Sequence, residues 1–292
     1  MKKSLALILA VVMLLSMSLT GCSSSTGGKA GKQLVVQIGP NPETIDPALN
    51  SSVDGANIIL FAFDCLLNID KDNKVIPGAA EKYEVSEDGL TWTFHLRKGL
   101  KWSDGSDLTA EDFVYSWKRM VDPETAAPYA ETVLGMVKGY DQAVAGNPDS
   151  LAVSAPDATT LVVELARPCP YLDKLAAFVS LSPVNKKTVE ANGDAWATKA
   201  ETFISNGPFY VAEFVPNSHI LLKKNPHYRE ANAIKLDSIK LLLIEDSNAS
   251  YAAYQTGEAH MIKDVPTAEI PSLRGREDFY IEPIIGTYYI SL

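Results

Sequence analysis

Histidine, cysteine and basic residues are scarce in this 292-residue chain, and each shortage removes a class of function. The four histidines, His95, His219, His227 and His260, show no HExxH or similar spacing, and the three cysteines form no CxxC pair. Metal ligation therefore has no local motif behind it, because metal sites usually draw on such closely spaced donors, and no cofactor is expected. No GxSxG elbow or SxxK spacing accompanies the serines, which leaves an exported hydrolase without its usual nucleophile signature. Lysine and arginine total 26 against 36 acidic residues, a formal net charge of −10. A chain of that sign is repelled by phosphate backbones and anionic head groups, so nucleic acid is not expected as a partner. There is no internal repeat of solenoid period, and the one low-complexity stretch is short.

What is present begins at the N-terminus. Met1-Lys2-Lys3 is a basic start, Leu5 to Leu15 is unbroken apolar sequence, and Leu19-Thr20-Gly21-Cys22 follows. The run has the length of a signal-peptide core and falls short of the about 20 apolar residues a membrane span needs. Residues 1–21 are read as a lipoprotein signal peptide, cleaved before Cys22. Lipidation of Cys22 with two acyl chains would give stable anchoring, so membrane contact is expected through lipid and not through a basic patch. The expected location is exported, at the outer face of the cytoplasmic membrane or the periplasmic side of a membrane. Loss of Lys2 and Lys3 leaves 24 basic residues against 36 acidic ones. Residues 22–32 then read as a flexible tether, Ser23 to Lys32 being small, polar and glycine-rich. The remainder is long and apolar enough for a substantial core in about two domains. Cys65 and Cys169, 104 positions apart, admit two readings, a disulfide or two small buried hydrophobes.

Along the chain, Leu34 to Ile38 reads as a buried strand, followed by an irregular connection forced by Pro40, Pro42 and Pro47. Ala56 to Leu67 reads as a largely apolar helix. Thr91 to Arg97 alternates with period two, placing Trp92, Phe94 and Leu96 on one buried face and His95 and Arg97 in solvent. Thr109 opens a helix with Glu111 and Asp112 in its first turn; Phe113, Val114, Trp117, Met120 and Val121 form the inward stripe, and Asp122-Pro123 stops it. Thr160 to Leu165 predicts a strand. Phe209 to Phe214 and Ile220 to Lys223 predict a hairpin after the turn at Ser205 to Pro208. Ile239 to Ile244 predicts a strand covered on both faces, and Ser247-Asn248 a cap for the helix carrying Tyr251, Tyr254 and Gln255.

Several of these segments together resemble the family-5 extracellular solute-binding proteins, the oligopeptide- and dipeptide-binding lipoproteins of ATP-driven importers. The central block runs Val85-Ser86-x-Asp88-Gly89-Leu90-Thr91-Trp92-Thr93-Phe94-His95-Leu96-Arg97-Lys98-Gly99-x-Lys101-Trp102-Ser103-Asp104-Gly105. It continues through Thr109-Ala110-x-Asp112-Phe113-Val114-Tyr115-Ser116-Trp117. Asp46-Pro47, Asn206-Gly207-Pro208-Phe209, Lys224-Asn225-Pro226-His227-Tyr228 and Thr256-Gly257-Glu258-x-x-Met261 support it on either side.

The resemblance implies an α/β, two-lobed periplasmic-binding-protein-like fold of class II type, with mixed sheets and flanking helices. Residues 33–63 and 188–285 would form a discontinuous first lobe, 64–187 an inserted subdomain carrying the signature block, and 286–292 the start of a crossing to a second large lobe. It implies a receptor that closes on a peptide ligand and delivers it to the permease subunits of an ABC transporter, as a monomer and without bond chemistry. In peptide-binding relatives the loop after Asp-Pro pairs with the ligand backbone as an added strand. Here that loop is Asn50-Ser51-Ser52-Val53, so Ser51, Ser52 and Val53 become candidate contacts; relatives carry an acidic residue in the place of Ser51. Tyr129 matches a tyrosine that reaches the ligand in such relatives, with interlobe packing as its other reading. Tyr288 and Tyr289 fall where the chain would cross between lobes and are candidate cleft residues.

Relatives continue for a second large lobe, and this sequence ends at Leu292 inside a β-like run. A fragment lacking that lobe is therefore expected to be poorly stable and to bind no peptide. Nickel chelates, haem and short sugars are alternative cargoes among relatives. A peptide-sensing or chaperone-like lipoprotein and an exported hydrolase are the competing functions.

Overall fold

Gln33–Gln37, rich in β-branched and apolar side chains, forms strand β1 at the edge of a four-stranded sheet in a computed structural model that describes residues 31–282 and residue 290. The chain then passes through the proline-rich connection to helix α1 (Val53–Ala62) and leaves the sheet. Strands β2 (Leu67–Ile69) and β3 (Val75–Pro77) pair as an antiparallel ribbon. A second four-stranded sheet follows, made of β4 (Ala80–Val85), β5 (Thr91–Leu96), β6 (Val153–Asp157) and β7 (Thr160–Glu164) in the order β4-β5-β7-β6, antiparallel throughout. Helix α2 (Ala110–Val121) packs on β6 and β7. The chain returns to the first sheet through β8 (Phe209–Val215), β9 (His219–Lys224) and β10 (Ser238–Leu242), in the order β1-β10-β9-β8 with β1 parallel to β10. Helix α3 (Ser247–Gln255) ends the longer elements.

One continuous apolar core joins both sheets and contains all four tryptophans: Trp92, Trp102, Trp117 and Trp196. The period-two reading of β5 holds, since Trp92, Phe94 and Leu96 are buried while Thr91, Thr93 and His95 are only partly covered. The helical stripe of α2 is likewise buried at each of the five expected positions.

Three sequence expectations are corrected, and the open alternative for the two cysteines is decided in favour of buried, unbonded side chains. The apolar run from Ala56 to Leu67 is helical only to Ala62; Phe63 turns extended and Leu67 enters the β2–β3 ribbon, because a buried apolar run carries no period that separates helix from strand. The cap of α3 is Asp246, whose carboxylate accepts the Ala249 N–H at 2.8 Å. Arg97 is not free in solvent, since its Nε donates to the Gly78 carbonyl at 3.0 Å, and His95 is partly covered beside Glu84. Cys65 and Cys169 are both buried and unbonded. The Cys65 thiol lies 3.2 Å from Ser182 Oγ, and burial pushes it up to about 12.

Candidate ligand loop and its support

Asp46 sits in an apolar frame between Ile45 and Pro47 and is itself buried. A carboxylate there is tolerable only with partners, and it has three. The Arg119 guanidinium grips it bidentately, Nη1 to Oδ1 at 3.1 Å and Nη2 to Oδ2 at 2.7 Å. Trp196 Nε1 donates to Oδ2 at 2.8 Å, and the Ala48 N–H donates to Oδ1 at 2.9 Å. The Asp46 carbonyl in turn accepts the N–H groups of Leu49 and Asn50 at 3.1 and 2.9 Å. The turn leading into the candidate loop is therefore fixed at both ends of one residue.

Asn50, buried, carries the order forward. Its Nδ2 donates to the Ser52 carbonyl at 3.0 Å, and its Oδ1 accepts the Ser52 hydroxyl at 3.2 Å. Ser52 is the N-cap of α1, its Oγ accepting the Gly55 N–H at 3.0 Å. Gly55 is required here, since a β-carbon at that position would lie 2.0 Å from Asn50 Oδ1. Ser51 and Val53 point outward, Val53 with 64% of its surface exposed. Leu60, seven residues on and so on the same helix face, is 59% exposed. Helix α1 thus shows solvent two apolar side chains, Val53 at the candidate loop and Leu60 two turns on, with half-buried Asn57 between them. Lys263 Nζ reaches Asp54 Oδ1 at 3.3 Å at the first turn of this helix.

Tyr129 is half-buried, with its ring edge-on to Phe178 at 5.5 Å. Phe178 precedes the short turn Val179–Leu181, on which α1 packs. Ser51, Ser52 and Val53 are thus contiguous, and Tyr129 is joined to α1 through Phe178 and that turn. Cys22, Tyr288 and Tyr289 lie outside the described residues. A surface hollow of about 670 Å³ is lined by the charged side chains of Lys118, Arg119, Asp149 and Lys186 together with Tyr115 and Val114. It contains none of the candidate contacts. Burial raises the Tyr115 phenol in its wall and the Asp112 carboxyl, although Asp112 accepts the Thr109 N–H.

Sequence reasoning missed Asn50, Arg119 and Trp196 as supports of the loop, and took Asp46-Pro47 only as a marker. A signal existed for Asp46, an acid between apolar neighbours that has to find a partner. None existed for Arg119 or Trp196, 73 and 150 residues away.

A family model described as bacterial extracellular solute-binding proteins, family 5 Middle, matches residues 74–292. The chain belongs to the family-5 solute-binding proteins. Among relatives of this family-5 chain, the oligopeptide-binding protein OppA of Bacillus subtilis is 34% identical over 97% of this chain and 54% of its own length. The probable deoxycholate-binding periplasmic protein YgiS of Escherichia coli is 38% identical over 80% of this chain and 44% of its own. The crystal structure of Haemophilus influenzae OppA complexed with the peptide RPPGFSPFR superposes with a TM-score of 0.80 at 36% identity, covering 84% of this chain and 48% of that one. The expected family and its mixed α/β binding-protein fold are therefore borne out. The family-5 chain spans about half the length of the curated relatives it matches. Among the described residues no helix is long and apolar enough to cross a membrane.

Proposed function

We propose that this chain is part of the capture subunit of an ATP-driven importer, holding oligopeptides in a cleft and passing them to membrane permeases without bond chemistry. The observation that carries the reading is the loop Asn50–Val53. It is braced from beneath by Asp46 and exposes Ser51 and Val53 at the start of helix α1, and the chain belongs to a family whose relatives are named for peptide binding. An extended peptide laid on Ser51 to Val53 gains main-chain hydrogen bonds without side-chain selection. Tyr129, with its phenol as donor and acceptor, and Tyr288 and Tyr289 complete the proposed contact set. Residues 33–63 and 188–285 form the proposed first lobe and 64–187 the inserted subdomain. Residues 1–21 act as the signal peptide, lipid on Cys22 anchors the exported monomer at the membrane face, and residues 22–32 are its tether.

Deletion of the gene tests the transport reading. Loss of uptake of a labelled nutrient peptide, restored by the gene in trans, is the expected result; altered signalling with intact uptake would replace import by sensing. Labelling by radioactive palmitate that disappears in Cys22→Ser tests the anchor. A second reading, an apolar acid as cargo, is favoured by Ser51 in the place of an acidic residue and by the deoxycholate-binding name of one relative. Competition of peptide uptake by deoxycholate separates the two.

A further inference from the structure

We infer that Arg119 and Trp196 are positioning residues that set the conformation of the Asn50–Val53 loop through Asp46; this rests on the reading of that loop as the ligand contact. Three distant chain segments meet at one buried carboxylate. Asp46 comes from the connection after β1, Arg119 from the last turn of α2, and Trp196 from the stretch before β8.

A buried ion pair gives little net stability, because desolvation of both charges offsets their attraction. Its distinctive property is direction. The guanidinium fork fixes the plane of the carboxylate, and the indole N–H takes a second lone pair on Oδ2. With the side chain held, the Ala48 N–H on Oδ1 and the Leu49 and Asn50 N–H groups on the main-chain carbonyl fix the turn. Asn50 then holds Ser52, and Ser52 holds the first turn of α1. The relay runs from Arg119 to the exposed backbone at Ser51 through hydrogen bonds alone. A loop so preorganised meets an extended ligand without a further ordering cost.

The test is site-resolved amide hydrogen exchange on the full chain, comparing wild type with Trp196→Phe and Arg119→Lys. Trp196→Phe keeps an aromatic ring beside Phe203, where the two rings now lie 5.3 Å apart and 6° from parallel, and removes the N–H donor together with part of the buried ring volume. Arg119→Lys keeps the charge and removes the fork. The expected result is exchange faster by about tenfold or more at Ala48, Leu49, Asn50 and Gly55, with Phe94 and Leu161 in the second sheet unchanged. Unchanged exchange at the loop in both variants would overturn the proposal. So would equal acceleration of loop and sheet amides, the signature of a general structural role. Peptide uptake by the same variants is read separately: a loosened loop with unaltered uptake would leave positioning standing and remove the loop from the ligand contacts.

Discussion

Asn206 binds the main chain of Asp64 at both of its polar groups, Oδ1 accepting the Asp64 N–H at 3.0 Å and Nδ2 donating to the Asp64 carbonyl at 2.9 Å. One side chain thus does the work of a strand partner, joining the exit from α1 to the entry into β8. Both residues are buried, so neither main-chain group has water as a substitute. The Asp64 carboxylate is held too, by Arg229 Nε and by Asn68 Nδ2, each at 2.7 Å. Asn206→Ala should cost about 2–4 kcal/mol, the sum of two buried groups left unmade. Urea unfolding checks it, and a loss below about 1 kcal/mol would show that the join is made elsewhere.

The next residue tolerates no side chain. A β-carbon on Gly207 would lie 2.5–2.6 Å from the Ala62 carbonyl group and the Phe63 nitrogen, all main-chain atoms. Gly207→Ala therefore forces the crossing segments apart and should cost at least about 3 kcal/mol, the upper end for overpacking. Gly257→Ala is the control. Its φ of +78° brings left-handed strain of about 1 kcal/mol with no neighbour within 4 Å. Thermal melts of the two variants should separate clearly, Gly207→Ala unfolding first.

The Cys65 thiol should be inert in the native protein and should make stability fall at high pH. Burial raises it from 9.0 to about 12, so the folded state holds the proton more tightly than the unfolded one. Its contribution is complete below pH 9 and is lost as pH climbs toward 12, at about 1.4 kcal/mol per unit. In a Cys22→Ser background the stability advantage of the native sequence over Cys65→Ala should shrink across that window. Thiol titration at pH 8 should find neither Cys65 nor Cys169 until denaturant is added.

Ser51 and Ser52, adjacent in sequence, should respond differently to truncation. Ser52→Ala removes the cap of α1 and should cost about 1 kcal/mol, whereas Ser51→Ala, at an exposed site, should stay within about 0.5 kcal/mol. If Ser51→Ala also leaves peptide uptake intact, the contact at that position is through the main chain, as strand addition requires.

Local pattern and tertiary context divide cleanly in this chain. Alternation at Thr91 to Leu96 and the stripe from Phe113 to Val121 specified β5 and α2, because period two and period 3.6 each put one face into a core regardless of what supplies it. The turn at Ser205 to Pro208 and the hairpin after it were equally legible, since proline and glycine act on their own backbone. The end of α1 was not. Ala56 to Leu67 is apolar throughout, and the change to extended chain at Phe63 coincides with the hold on Asp64 by a residue 142 positions away. The fate of the cysteines and the brace under the candidate loop belong to the same category. The sequence by itself determined which segments bury which faces and to which family the chain belongs. Only the tertiary structure decided that Asp46 meets Arg119 and Trp196, because a buried charge states that it needs a partner but not which of the distant donors the fold will bring to it.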